Sequence, residues 1–159
     1  MITSSIEIHQ IGPIFSGSYL LAITTHNFRV RSEKNMSKVE KDKERERRIS
    51  DEAIVDAYGP EEQALGWYYY LKDKMLFPFN AKCIRQRDNS PLRIDERVKV
   101  VGMVDEYDCM VEMFVKIEWL DRSFGVPLSQ LEAIDVDDET EEAIRDWHYW
   151  VGRGNRLYG

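Results

Sequence analysis

Arg97-Val98-Lys99-Val100-Val101-Gly102-Met103-Val104 and, further on, Met113-Phe114-Val115-Lys116-Ile117-Glu118-Trp119 read as two β-strands. The first run is long and rich in valine. In the second, Met113, Val115, Ile117 and Trp119 alternate with Phe114, Lys116 and Glu118, the pattern of a half-buried strand. Val104-Asp105-Glu106-Tyr107-Asp108-Cys109-Met110-Val111-Glu112 lies where a tight turn between them is expected.

The neighbouring sequence extends the β pattern. Ala81 to Arg87 predicts a short strand, Asp121 to Gly125 a turn, and Gly125-Val126-Pro127-Leu128 an edge strand, where Pro127 is tolerated. Leu128 to Leu131 reads as one helical turn and Glu132 to Val136 as a last strand. Short strands joined by tight turns through a Pro-containing segment predict a small SH3-like β-barrel.

Helical signals flank this region. Ser50 is suited to cap a helix with Asp51 and Glu52 in its first turn, ending at Gly59. Pro60 suits the first position of a second helix, along which Ala64, Leu65, Tyr68, Leu71 and Met75 keep helical spacing. Trp67-Tyr68-Tyr69-Tyr70 reads as a buried face with amphipathic rings at its edge. Pro78 ends that segment, because it disfavours helix at Phe77. Asp138 and Glu141 form a capping-box pattern. Behind it, Ala143, Ile144, Trp147, Trp150 and Val151 make a packable face before Gly152 and Gly154. The fold class expected is α+β: a small SH3-like barrel with N-terminal helices and a C-terminal helix.

At 159 residues, one domain is the natural expectation. Residues 1–35 differ in composition, with few charges and scattered isoleucines, and read as an upstream extension with little fixed structure or as a short hairpin. Lys38 to Arg48 alternates Lys, Glu and Arg, as a solvated helix or disordered leader does. The division expected is an extension over residues 1–48 and a folded domain over residues 49–159.

The net charge of −7 is uneven: Asp105 to Asp146 holds 14 acidic residues and 3 basic ones. Such a field attracts cations or basic partners and repels a nucleic-acid backbone. Cys83 and Cys109 are far apart and form no CxxC unit, so neither a disulfide framework nor a zinc site is indicated. They read as small buried hydrophobes in a reducing compartment. No apolar run is long enough to span a membrane, and Ile14 to Ile23 lacks the flanks of a signal peptide. A cytoplasmic protein that does not engage membranes is expected.

Asp105, Glu106, Asp108 and Glu112 concentrate negative charge on one short connection with no Lys or Arg among them. Calcium takes roughly 6–8 oxygen ligands from carboxylates, carbonyls and water, and a turn supplies both protein types. These four are therefore candidate ligands for a hard cation; a solvated acidic turn is the competing reading. The stretch is no EF-hand, since the sixth position lacks glycine and the twelfth lacks an acid. A second acidic cluster, Asp135 to Glu142, is explained more simply by helix capping. Catalysis has little support. His148 sits among aromatics on the last helix, His9 and His26 lie in the extension, and no nucleophile-elbow, phosphate-loop or dinucleotide motif occurs. A non-enzymatic protein is expected.

Several motifs, in order, resemble the CcbP-type family of small acidic calcium-binding proteins prominent in cyanobacteria. They are Tyr68-Tyr69-Tyr70-Leu71-Lys72-Asp73-Lys74-Met75-Leu76-Phe77-Pro78-Phe79-Asn80-Ala81-Lys82-Cys83, Glu112-Met113-Phe114-Val115, Val126-Pro127-Leu128-Ser129-Gln130-Leu131-Glu132-Ala133-Ile134 and Asp146-Trp147-His148-Tyr149-Trp150-Val151. The resemblance spans about Asp51 to Arg153. It implies a cytoplasmic Ca2+ buffer or sensor with an SH3-like barrel, and it adds Asp73 to the candidate ligands. Tyr107 and Met110-Val111 interrupt the acidic run the family leads one to expect, which lowers the local charge. The alternative function is an acidic interaction module docking a basic protein partner.

Overall fold

The structure, a computed structural model, describes residues 39–158; the readings made for residues 1–35, including His9 and His26, lie outside them. Helix α1 (Lys43–Arg48) is capped by Asp42, which accepts from the Arg45 N–H at 3.1 Å, and it continues into a π-helical turn over Ile49–Ala53. Ser50, the expected cap, therefore lies inside a helical segment. Helix α2 (Pro60–Lys74) begins after Gly59, as Pro60 predicts, and Glu62 Oε2 accepts from the Tyr58 and Gly59 amides at 2.6 and 3.2 Å.

Five antiparallel strands follow: β1 (Phe79–Cys83), β2 (Arg97–Met103), β3 (Phe114–Trp119), β4 (Arg122–Pro127) and β5 (Leu131–Ile134). A 3-10 turn over Leu128–Gln130 leads into β5. The strand order is β4-β3-β2-β1-β5. The α+β class is thus as expected, but β4 and β5 are the two edges and share no ladder. The sheet is open, and closure into an SH3-like barrel is not seen. The expected Asp121–Gly125 turn is shorter than its residues suggest. Trp119 pairs with Arg122, leaving Leu120-Asp121 to make the bend, with Leu120 at φ 54°. Ser123 and Phe124 therefore belong to β4.

Helix α3 (Asp138–Gly152) starts one residue earlier than the expected capping box. Asp137 is the cap, accepting from the Thr140 N–H at 2.9 Å and from its hydroxyl at 2.6 Å. The Thr140 oxygen also accepts from the Leu76 N–H at 3.0 Å, which joins the start of α3 to the end of α2.

The sheet contributes Val98, Val100, Val115, Ile117, Val126 and Leu131 to a core completed by Trp67, Leu71, Ala143 and Trp147 from the two long helices. Burying each large apolar side chain is worth about 1.5–3 kcal/mol. Trp67 and Trp147 meet edge to face at 5.2 Å, so α2 and α3 interlock through aromatic rings. Gly66 lies where α2 crosses the π-helical turn; a Cβ there would run into the carbonyl oxygen of Ala53.

The charged run before residue 49 is tied to α3. Asp146 is fully buried and takes Arg48 Nε at 2.8 Å and Nη2 at 2.7 Å, with the Tyr70 hydroxyl at 2.8 Å. Arg45 Nε is 3.1 Å from the same carboxylate but is not aligned to donate, so that contact is one of charge rather than a hydrogen bond. A buried carboxylate is tolerable only with such pairing.

Candidate metal centre

The acidic residues lie on the β2–β3 connection. It is no tight turn: after β2 the chain makes a 3-10 turn over Glu106–Cys109 and returns to the sheet at Phe114. Asp105 caps that turn, its Oδ1 accepting from the Tyr107 N–H at 3.1 Å. Buried Cys109 anchors the connection from below, its Sγ accepting from the Phe114 N–H at 3.4 Å. Burial pushes the Cys109 thiol up to about 11, with the charges of Asp108 and Asp105 acting in the same direction. It therefore stays protonated at neutral pH and serves as packing.

Helix α2 holds the connection from the side. The Tyr68 hydroxyl donates to the Val104 carbonyl at 3.1 Å, and the Tyr69 hydroxyl donates to Glu106 Oε2 at 2.6 Å. The rings of these two consecutive residues meet edge to face at 5.3 Å. The carboxylate of Glu106 raises the Tyr69 phenol, chiefly through that hydrogen bond, and burial raises Tyr68, with the acids nearby adding to it. Lys72 lies over both rings, 5.4 and 5.9 Å from their centroids.

The five expected ligands are placed differently from one another. Asp105 and Asp108 are exposed and Glu106 is half-buried, all within four consecutive residues. Asp73 is exposed one helical turn beyond Tyr69, in a groove it shares with Glu52 and Lys74. Among the described residues, none of these four carboxylates forms an ion pair. Glu112 differs. It precedes β3 and is gripped by Arg87 through Nη1 at 3.1 Å and Nη2 at 2.8 Å, with the Ser129 hydroxyl donating at 2.6 Å.

The donor chemistry fits a hard cation: oxygen ligands only, three of them on one exposed turn that also offers carbonyls. In this conformation the ligands are not assembled. Among the described residues no three His, Cys, Asp or Glu side chains form a group able to hold a metal ion. The oxygens of Asp105, Glu106 and Glu112 are instead occupied by an amide, a phenol and a guanidinium.

The second acidic cluster acts as the capping reading predicts. Asp137 caps α3, while Asp138, Glu139 and Glu141 lie in its first turn. His148 is a packed residue, its Nε2 being 3.1 Å from the Leu128 carbonyl. Sequence reasoning missed the Asp146–Arg48 pair and the Arg87–Glu112 pair. Their partners lie 98 and 25 residues apart, beyond any local pattern. The one available signal was an acid inside an otherwise apolar helix face.

No helix among the described residues is long and apolar enough to cross a membrane. Comparison with curated proteins gives no match. Two solved structures are similar. The crystal structure of Anabaena CcbP shares 46% identity at a TM-score of 0.66, over 73% of this chain and 95% of that one. A calcium-binding protein in its calcium-binding form shares 43% at a TM-score of 0.67, over 74% of this chain and 97% of that one. The family of CcbP proteins, described as calcium binding, matches residues 47–151. That match takes in α2, the whole sheet, the acidic connection and nearly all of α3, and the chain belongs to the CcbP calcium-binding family.

Proposed function

We propose that the chain binds Ca2+ through the β2–β3 connection and acts as a non-enzymatic intracellular calcium buffer or sensor. Asp105, Glu106 and Asp108 supply oxygens from the turn, Asp73 contributes from the end of α2, and Glu112 joins on release from Arg87. The observation that carries the proposal is the exposed run Asp105 to Asp108, unpaired with any cation among the described residues and fixed to α2 by two tyrosines. Like charges at this spacing repel, and a divalent cation relieves them. Membership of a calcium-binding family supports the same reading. A cytoplasmic setting accords with two buried free cysteines. The strand order is one that a small SH3-like barrel would use if its edges met.

Calorimetric titration of metal-stripped protein tests this. Calcium is expected to bind in preference to magnesium and to raise the melting temperature, because a ligand that binds only the folded state stabilises it. Neutralising Asp105 and Asp108 together should weaken binding at least tenfold, about 1.4 kcal/mol. Absence of heat and of thermal shift at millimolar calcium would sink the proposal.

A second reading rests on Tyr107 and Val111, which are 77% and 65% exposed among the acids. An exposed ring and an exposed aliphatic side chain beside charge suit a docking face for a basic protein. Such docking would persist in the presence of chelator, whereas calcium-dependent behaviour would not.

A further inference from the structure

A second kind of site lies where the loop after β1 meets the end of α3. A cavity of about 200 Å³ is lined there by Arg85, Arg87 and Arg156, by Glu112, and by Trp147 and Trp150. We propose that it binds a small organic oxyanion, a carboxylate or phosphate ester carrying an apolar body.

The charge balance is the first reason. The chain is acidic, at −7, yet three guanidiniums line this cavity against a single carboxylate. Arg87 is spent on Glu112 and on Ser129, whose oxygen is 2.7 Å from Nη2. Arg85 and Arg156 have no carboxylate partner among the described residues. Arg156 is nonetheless held in place, its Nη1 donating to the carbonyls of Asn155 at 2.6 Å and Val151 at 3.2 Å. Carbonyls fix the guanidinium without cancelling its charge, which leaves further N–H donors for a planar oxyanion.

The wall is the second reason. Trp147 and Trp150, buried and stacked on each other at 5.4 Å with their planes 20° apart, give the cavity an apolar wall beside the arginines. Trp147 is fully buried, and its indole N–H has no partner among the described residues. Buried indole N–H groups ordinarily find an acceptor. Apolar walls with a few convergent donors are the usual composition of a small-molecule site. The space is below that of drug-sized pockets, so the ligand is small. None of this rests on the calcium reading.

Calorimetric titration with benzoate, phenyl phosphate and inorganic phosphate tests the proposal. One of the two aromatic probes is expected to bind saturably at one site, about tenfold tighter than inorganic phosphate. The tighter of the two identifies the anionic group. The double variant Arg85→Ala, Arg156→Ala should lose that binding about tenfold with its melting transition unchanged, since both side chains are exposed. No saturable heat from either aromatic probe at millimolar concentration would overturn the proposal. So would equal binding of inorganic phosphate, or binding that survives in the folded double variant.

Discussion

Tyr69 donates its hydroxyl to Glu106 at 2.6 Å, so one carboxylate of the acidic connection is bonded to a helix distant in sequence. The same bond makes Tyr69 a reporter of what happens at Glu106. That hydrogen bond, and then the like charge a phenolate would meet at Glu106, lifts the phenol above its ordinary value. A calcium ion on Glu106 competes for the oxygen that accepts this hydrogen bond and removes much of the repulsion. The Tyr69 phenol should therefore titrate at lower pH with calcium than without. Absorbance titration of wild type minus Tyr69→Phe isolates the transition. A difference curve insensitive to calcium would place the ion away from Glu106.

Glu112 and Arg87 make a second test. With the pair about three-quarters buried, loss of Arg87 should cost about 1–2 kcal/mol, read as a lower denaturation midpoint for Arg87→Gln. If Glu112 also serves calcium, the guanidinium competes with the metal. Arg87→Gln should then tighten calcium binding several-fold, and Glu112→Gln should weaken it. Unchanged affinity in Glu112→Gln would remove that residue from the ligand set and leave it a purely structural acid.

Asp146 should prove a stability residue. Arg48 and Tyr70 bond to it, and Arg45 adds its charge. Its carboxylate raises Arg48, while burial first and then the bond to Asp146 raise Tyr70. Breaking a buried pair from one side strands the other charge, at a cost of about 3–5 kcal/mol. Asp146→Ala should lose that much in chemical denaturation, while the protein that remains folded keeps its calcium affinity. A loss below about 1 kcal/mol would mean that α1 contributes little to the fold.

Much of the architecture was legible because it rests on local periodicity. The alternation Met113 to Trp119 and the apolar face Ala143 to Trp150 each report their own burial, and Pro60 marked the start of α2. Sheet closure was not legible, since it depends on how two edges far apart in sequence lie in space. The bend at Leu120 escaped notice because leucine rarely adopts φ near 54° and carries no turn signature. At the candidate site, residue type located the acidic connection, but not which acids were already engaged. Arg87 and Tyr69 approach from other elements, and their choice of partner is a tertiary outcome.

His148 sets a pH dependence. Burial holds it below its ordinary 6.5, with Arg85 nearby acting in the same direction, while the Leu128 carbonyl and Glu132 oppose. A carbonyl only accepts, so Nε2 carries the ring proton. As pH falls, the unfolded chain takes up the second proton first. Stability from this group is complete above the ordinary value and declines as pH drops from there toward the folded-state value. Melting temperature should fall between neutral pH and that range in the wild type, and less steeply in His148→Gln. Parallel curves would show that other groups govern the acid limb.

Gly66 has a reach beyond its own contact. Even a methyl group there would press on the Ala53 carbonyl and push α2 away from the turn it crosses. Tyr68 and Tyr69 ride on the next half-turn of that helix and hold the acidic connection by its backbone and by Glu106. The spacing of carboxylates at the surface is thus gauged by the absence of a side chain three residues before Tyr69, in a groove that Tyr69 and Asp73 also line. On the proposed site, cation affinity is open to tuning by a glycine that offers no ligand of its own.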